Sequence, residues 1–153
     1  MRHPHGFERQ ESALTLAQGL AEYFSANPGL KRGPELSAEA RAFFECHDAV
    51  HVVYGCGTSM PDEAVVKIAS IFGTTGGFAV LRGYRLNESL DIYRKLSPWD
   101  TLRALLLAPL LVARTIWRCS RQRRRWPWDG IEPHMNTPLA ALRAEYGIIV
   151  ARC

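Results

Sequence analysis

The chain has 153 residues, 47% of them hydrophobic and 22% charged, which is enough for one hydrophobic core and too short for two ordinary domains. That composition excludes a disordered, collagen-like or low-complexity chain. The net charge of +4 conceals one cationic segment: Arg103, Arg114, Arg118, Arg121, Arg123, Arg124 and Arg125 place seven charges in 23 residues without an acid, so the remainder carries −3.

Apolar spacings of three and four recur along the chain and no stretch alternates like a strand, so the expected fold class is all-α, a single-domain bundle of about five to six helices. A first helix is expected from Glu8 to Ala26, with Ala13, Leu16, Ala17, Leu20 and Phe24 on one face and a stop at Asn27-Pro28-Gly29. Ser37 is suited to cap a second helix running through Tyr54, in which Ala40, Phe43, Phe44, His47, His51 and Tyr54 take the inward spacing. Gly55-Cys56-Gly57 breaks it. Ser59-x-x-Asp62 with Pro61 then opens a third helix carrying Glu63, Val66, Ile68 and Ile71.

Gly73, Gly76 and Gly77 follow, and glycines at such spacing let another backbone or a slender ligand come close. A short fourth helix is expected after Asn87, ending near Leu96. Ser97-Pro98-Trp99-Asp100 reads as the capped start of a long helix with a bend at Pro109 and an end in the arginine cluster. The stretch from Trp126 to Asn136 reads as loop, and Thr137-Pro138 as the start of a final helix, LAALRAEY, closed by Gly147.

The chemistry is concentrated in His47-Asp48-x-x-His51 and in Glu63, eleven intervening residues later. On a helix His47 and His51 stand one turn apart on one face, and an antiparallel helix pair around the glycine break brings Glu63 to their level. Imidazole and carboxylate suit a divalent metal, zinc, iron or manganese, and three protein ligands leave positions open for water or substrate. The competing account is a pair of core histidines satisfied by Asp48 and a backbone carbonyl, with Glu63 favoured at a helix start. A zincin-type peptidase is disfavoured because Asp48 is a shorter general base than Glu and the third ligand follows too soon. A His-Asp phosphohydrolase would need further ligands that His3 and His5, at the chain end, are poorly placed to supply.

The segment HDAVHVVYGCGTSMPDE resembles the His-Asp-x-x-His…Glu signature of the coenzyme Q (ubiquinone) biosynthesis Coq-four family, and the ending PLAALRAEYGI is similar to that family's closing segment. The resemblance implies a helical bundle with a cavity for an isoprenoid chain. It also implies that His47, Asp48, His51 and Glu63 bind a divalent metal beside the head group of a polyprenylated quinone precursor, with Asp48 as fourth ligand or catalytic base. The associated activity is replacement of a head-group carboxyl by oxygen, an oxidative decarboxylation. The alternative role is a non-catalytic prenyl-lipid-binding scaffold that organises other quinone-biosynthesis enzymes. Asp62 stands where the family has Gly, adding a second carboxylate. Gly73, Gly76 and Gly77 are the expected lipid-binding positions, leaving room for the tail.

The run ALLLAPLLVA between Arg103 and Arg114 is ten residues, about half of what crosses a bilayer. Its first half reads as a buried bundle helix. Beyond it the arginines interleave with Trp117, Trp126 and Trp128, a pattern suited to an anionic lipid surface. Arg121, Arg123, Arg124, Arg125 and Trp126 are therefore the expected membrane-surface residues. Nucleic acid is the rival partner for clustered arginines, and it is set aside because the adjoining apolar helix has no role in that account.

Cys46, Cys56, Cys119 and Cys153 form no CxxC pair, and MRHPHGFERQE shows no apolar run behind a basic start. Reduced thiols and a cytoplasmic protein, peripheral at the inner face of the membrane, are expected, with a homodimer as the assembly to test.

Overall fold

The computed structural model describes residues 5–30, 36–87 and 98–151, with side chains described outside 85–107. Among the described residues the fold is all-α. Its helices are α1 (Leu16–Ala26), α2 (Ala38–Val53), α3 (Met60–Phe72), α4 (Val80–Asn87), α5 (Pro98–Ser120) and α6 (Leu139–Tyr146), with 3-10 turns at Gly6–Glu8, Gly77–Ala79 and Glu132–His134. The only extended pairings among these residues are isolated bridges between Thr15 and Pro138 and between Thr74 and Trp126. α2 lies between α1 and α3, and α3 packs along α5.

The capping chemistry explains the boundaries. The Ser37 side chain accepts from the Ala40 amide at 3.1 Å and opens α2. Ser59 accepts from Asp62 and opens α3, and Gly147, at φ 70°, closes α6 in a left-handed conformation that favours glycine. The first helix is shorter than its apolar periodicity indicates. Thr15 and Gln18 form a reciprocal capping box, so α1 starts at Leu16 rather than Glu8. Ahead of it the backbone runs irregularly, and Ala13 is exposed.

The expected fourth helix, from beyond Asn87 to Leu96, falls outside the described residues. A helix that the spacing did not disclose, α4, precedes it. The long helix α5 carries Pro109 inside it. The first half of the apolar run, expected to be buried, lies largely outside the residues whose side chains are described; from Ala108 to Ala113 none is buried, and Leu110 is 60% exposed. No helix among the described residues is long and apolar enough to cross a membrane.

The core joins Leu16, Leu20 and Tyr23 of α1 to Val50 and Val53 of α2, Val66 and Ala69 of α3, and Leu139 and Leu142 of α6. Each such aliphatic side chain contributes about 1.5–3 kcal/mol relative to exposure. Trp126 belongs to this core and not to a membrane surface. It is fully buried, its ring 5.0 Å from that of His134 and 5.1 Å from that of Tyr146. Its amide donates to Gly73 O at 2.9 Å and its carbonyl accepts from Thr75 at 2.8 Å, tying the loop after α5 to the end of α3. Trp128 is likewise buried; among the tryptophans whose side chains are described, Trp117, 57% exposed, is the one that reaches solvent.

Arg143 is fully buried and ties the two chain ends together. Its guanidinium donates to Val53 O at 2.8 Å and Val52 O at 2.9 Å, and also to the carbonyls of Phe7, Arg9 and Gln10. Val52 and Val53 end α2, where carbonyls lack α-helical partners, and the irregular segment before α1 offers further carbonyls; Val52 O and Arg9 O each also accept from a backbone amide, of Gly55 and Ser12. One planar five-donor group satisfies both.

Candidate metal centre

α2 carries His47 and His51 one turn apart on its buried face, 8% and 0% exposed. The glycine break after Tyr54 turns the chain so that the first turn of α3 returns Glu63 beside them. Glu63 Oε1 lies 3.5 Å from His51 Nε2, and Oε2 lies 3.8 Å from His47 Nε2. Among the described residues His47, His51 and Glu63 are the group whose ligand atoms all lie within 4.8 Å of one another. Tetrahedral ligands held 2.0–2.1 Å from an ion are about 3.3 Å apart, so the two separations approach the edges of such a site.

The hydrogen bonding bears on what fills it. His51 Nδ1 is 2.8 Å from Gly57 O, so Nδ1 carries the proton and donates. Its Nε2 is fully buried, faces the Glu63 carboxylate at 3.5 Å and has no partner within hydrogen-bonding geometry. A ring nitrogen and a carboxylate oxygen at this separation are held together by a positive charge between or upon them, a proton in metal-free protein or a cation when one is bound. The residues therefore fit a divalent ion, by the chemistry of the donors as well as by their spacing. Backbone fixation of one imidazole nitrogen is also how metal-binding histidines are oriented.

Burial by itself would raise the Glu63 carboxyl, but the His51 ring nitrogen, His47 and Lys67 together hold it below its ordinary range. Tyr23, 1% exposed, stacks on His51 with ring centroids 5.1 Å apart. Burial first, then the charges of Asp48 and Glu63, push its phenol up, so it stays neutral. Phe43 stacks on His47 at 5.8 Å and Tyr84 meets the same ring edge-on at 5.6 Å. Glu63, with 39% of its side chain exposed, is the open side of an otherwise walled site.

Asp48 and Asp62 stand apart from this trio. Asp48 is buried beside His47 on its other ring nitrogen, Oδ1 lying 3.5 Å from Nδ1 without hydrogen-bonding geometry. Asp62 accepts from Ser59 Oγ at 2.5 Å and serves the start of α3. Tyr23, Phe43 and Tyr84 were not read as site residues. Tyr23 was legible in principle, since Leu16, Leu20 and Tyr23 are spaced by four and three; Tyr84 lies on α4.

The three glycines do not form one groove. Gly73 ends α3, and a Cβ there would strike the Tyr54 hydroxyl and lie 3.0 Å from Cys119 Sγ. At Gly76 it would lie 2.8 Å from Trp128 Cγ. Gly77, at φ 55°, begins a 3-10 turn and faces open space. Two of the three are close helix and loop packing, and none shares a helical face with another.

Arg121, Arg123, Arg124 and Arg125 are all exposed, at and beyond the end of α5. Arg124 pairs with Glu145 and lies 4.3 Å over the Tyr146 ring, and Arg121 lies 5.9 Å over the Trp117 ring. Cys46, Cys56 and Cys119 are free thiols. Comparison with family models, with curated proteins and with solved structures gives no match, so the resemblance to the Coq-four family rests on the residues that carry it.

Proposed function

We propose that the protein binds one divalent metal, zinc, iron or manganese, through His47, His51 and Glu63 and engages the head group of a polyprenylated quinone precursor in ubiquinone biosynthesis, at an anionic membrane surface. The observation that carries this reading is the setting of His51: Gly57 holds its Nδ1, which turns Nε2 onto the Glu63 carboxylate in a buried site. A bound ion would supply a Lewis acid beside the head group, and iron or manganese also a redox centre, for replacement of its carboxyl by oxygen.

The chain's own residues supply the rest. Gly57 holds His51 in the ligating orientation, and Asp48, 3.5 Å from the other nitrogen of His47, would orient that ring once a metal is bound. Tyr23, Phe43 and Tyr84 exclude water from the buried side. The head group would enter past Glu63, the one half-exposed member. Exposed Leu110 and Trp117 with the arginines at the end of α5 favour attachment to a lipid surface.

The test is to mix purified, metal-loaded protein with a polyprenylated hydroxybenzoate under oxygen and follow both bound and converted lipid. Conversion supports an enzyme. Stoichiometric binding without conversion supports a scaffold that presents the precursor to other enzymes, and neither binding nor conversion overturns the reading.

A further inference from the structure

At the end of α3 remote from the metal centre, Phe72 meets the last turns of α5 around a cavity of about 310 Å³. Phe72 and Ile116 form its apolar lining, Cys119 and Ser120 its polar lining, and Arg124 and Arg125 bring two guanidinium groups to it. No carboxylate lines it. Arg124 is engaged by Glu145, whereas Arg125 has no carboxylate partner among the described residues. Burial pushes the Cys119 thiol up to about 11, against the pull of Arg118 and Arg125, which keeps the thiol neutral beside those charges.

A plain reading of arginines here is that they offset the partial negative charge at the end of α5. That charge is about half an electron, whereas Arg118, Arg121, Arg123, Arg124 and Arg125 supply five full positive charges within eight residues. The excess gives this end of α5 a positive field that attracts an anion. The apolar side points to the kind of anion: Phe78, 69% exposed, sits with its ring 5.8 Å from that of Phe72, and Trp117, next in the helix to the lining residue Ile116, is 57% exposed with Arg121 over its ring. A small inorganic anion would use the guanidinium groups and leave these rings in water; an anion attached to hydrocarbon would use both.

We propose that this cavity is a head-group site for an anionic phospholipid, with Arg125 donating to the phosphate oxygens and Phe78 and Trp117 seated among the first methylenes. It rests on the membrane reading above and sharpens it from diffuse attraction to a defined pocket. Guanidinium recognises phosphate through paired, charge-assisted hydrogen bonds, which give a geometric preference that a smeared charge lacks.

The experiment compares vesicles of neutral phosphatidylcholine with vesicles containing phosphatidylglycerol, using wild type, Arg125→Gln, Arg123→Gln and Ser120→Phe. Arg123 is exposed but does not line the cavity, so Arg123→Gln removes the same charge from outside it. Ser120→Phe fills the cavity at constant charge. Removing a surface arginine from a diffuse patch weakens binding about fivefold; loss of a head-group ligand weakens it about 30-fold or more. The proposal expects the larger loss for Arg125→Gln, the smaller for Arg123→Gln, and a clear loss for Ser120→Phe with unchanged circular dichroism melting. Equal losses for the two arginine variants with a silent Ser120→Phe overturn the pocket while leaving diffuse membrane attachment standing. Inorganic phosphate bound as tightly as the vesicles, or single-stranded RNA bound more tightly at the same salt, also overturns it. If wild type ignores phosphatidylglycerol vesicles altogether, the membrane reading fails and the pocket with it.

Discussion

His51 Nδ1 lies 2.8 Å from the carbonyl oxygen of Gly57, and the opposite nitrogen of the same ring lies 3.5 Å from Glu63. The glycine break between α2 and α3 thus does two things: it reverses the chain to bring Glu63 back, and it supplies the carbonyl that fixes the proton on the far side of the imidazole. Asp48 is the carboxylate beside the corresponding nitrogen of His47, 3.5 Å away and not hydrogen-bonded to it, and we expect it to close on that nitrogen when a metal is bound. Asp48→Asn is accordingly expected to weaken metal affinity about 10–100-fold while leaving one ion per chain at saturation, measured by chelator competition. Loss of stoichiometric binding would instead make Asp48 a ligand.

Glu63 gives a pH signature in metal-free protein. Its folded carboxyl sits below the ordinary carboxylate value because His51, His47 and Lys67 outweigh its burial. A lowered folded pKa contributes stability that is present above the unfolded value and is lost as pH falls through the folded one. Chelator-treated wild type should therefore melt higher than Glu63→Gln near neutral pH, with the gap closing as pH falls below the ordinary carboxylate range. A gap that widens with acid would contradict the assignment of the charges around Glu63.

Arg143 holds the end of α2, immediately after His51, to the segment before α1. Arg143→Met leaves several buried carbonyls without donors and should cost about 3 kcal/mol or more, read from the urea midpoint. Arg143→Lys should recover only part of that, because an ammonium cannot reproduce the planar fork. Full rescue by lysine would show that charge rather than geometry matters there.

The two tryptophans separate surface from core. Trp117→Ala should weaken attachment to anionic vesicles with little effect on melting, whereas Trp126→Ala should cost about 3–5 kcal/mol and leave the attachment of the still-folded fraction unchanged. Vesicle binding should also fall as salt rises, because exposed charges at Arg121, Arg123, Arg124 and Arg125 are screened over about 8 Å at physiological ionic strength. The reverse assignment of the two tryptophans, or salt-independent binding, would contradict the exposure pattern.

The residues that were legible in the sequence are those whose signal is local. Ser37 and Ser59 cap helices, Gly147 needs a left-handed conformation, and His47 and His51 share a face simply because they are four apart on a helix. The errors arose where long-range packing decides. Trp126 looked like part of a lipid-facing arginine and tryptophan run until its backbone pairing with Gly73 and Thr75 drew it into the core. Gly73 and Gly76 looked like a ligand groove, but Tyr54 and Trp128 fill the space their missing side chains leave. Arg143 had no local signal at all, since its five acceptors come from segments far away in the chain. The start of α1 was missed for a different reason: apolar spacing continues through Ala13, and only the Thr15 and Gln18 pair marks the boundary.

The most direct measurement of the central claim is metal content by native mass spectrometry on protein purified without chelator and offered zinc, iron or manganese in turn. The account predicts one divalent ion per chain for wild type and its loss in His51→Ala, which removes one of three ligands and leaves too few for tight binding. Folded wild type that takes up none of the three ions stoichiometrically, or a folded His51→Ala that binds as well as wild type, would contradict it.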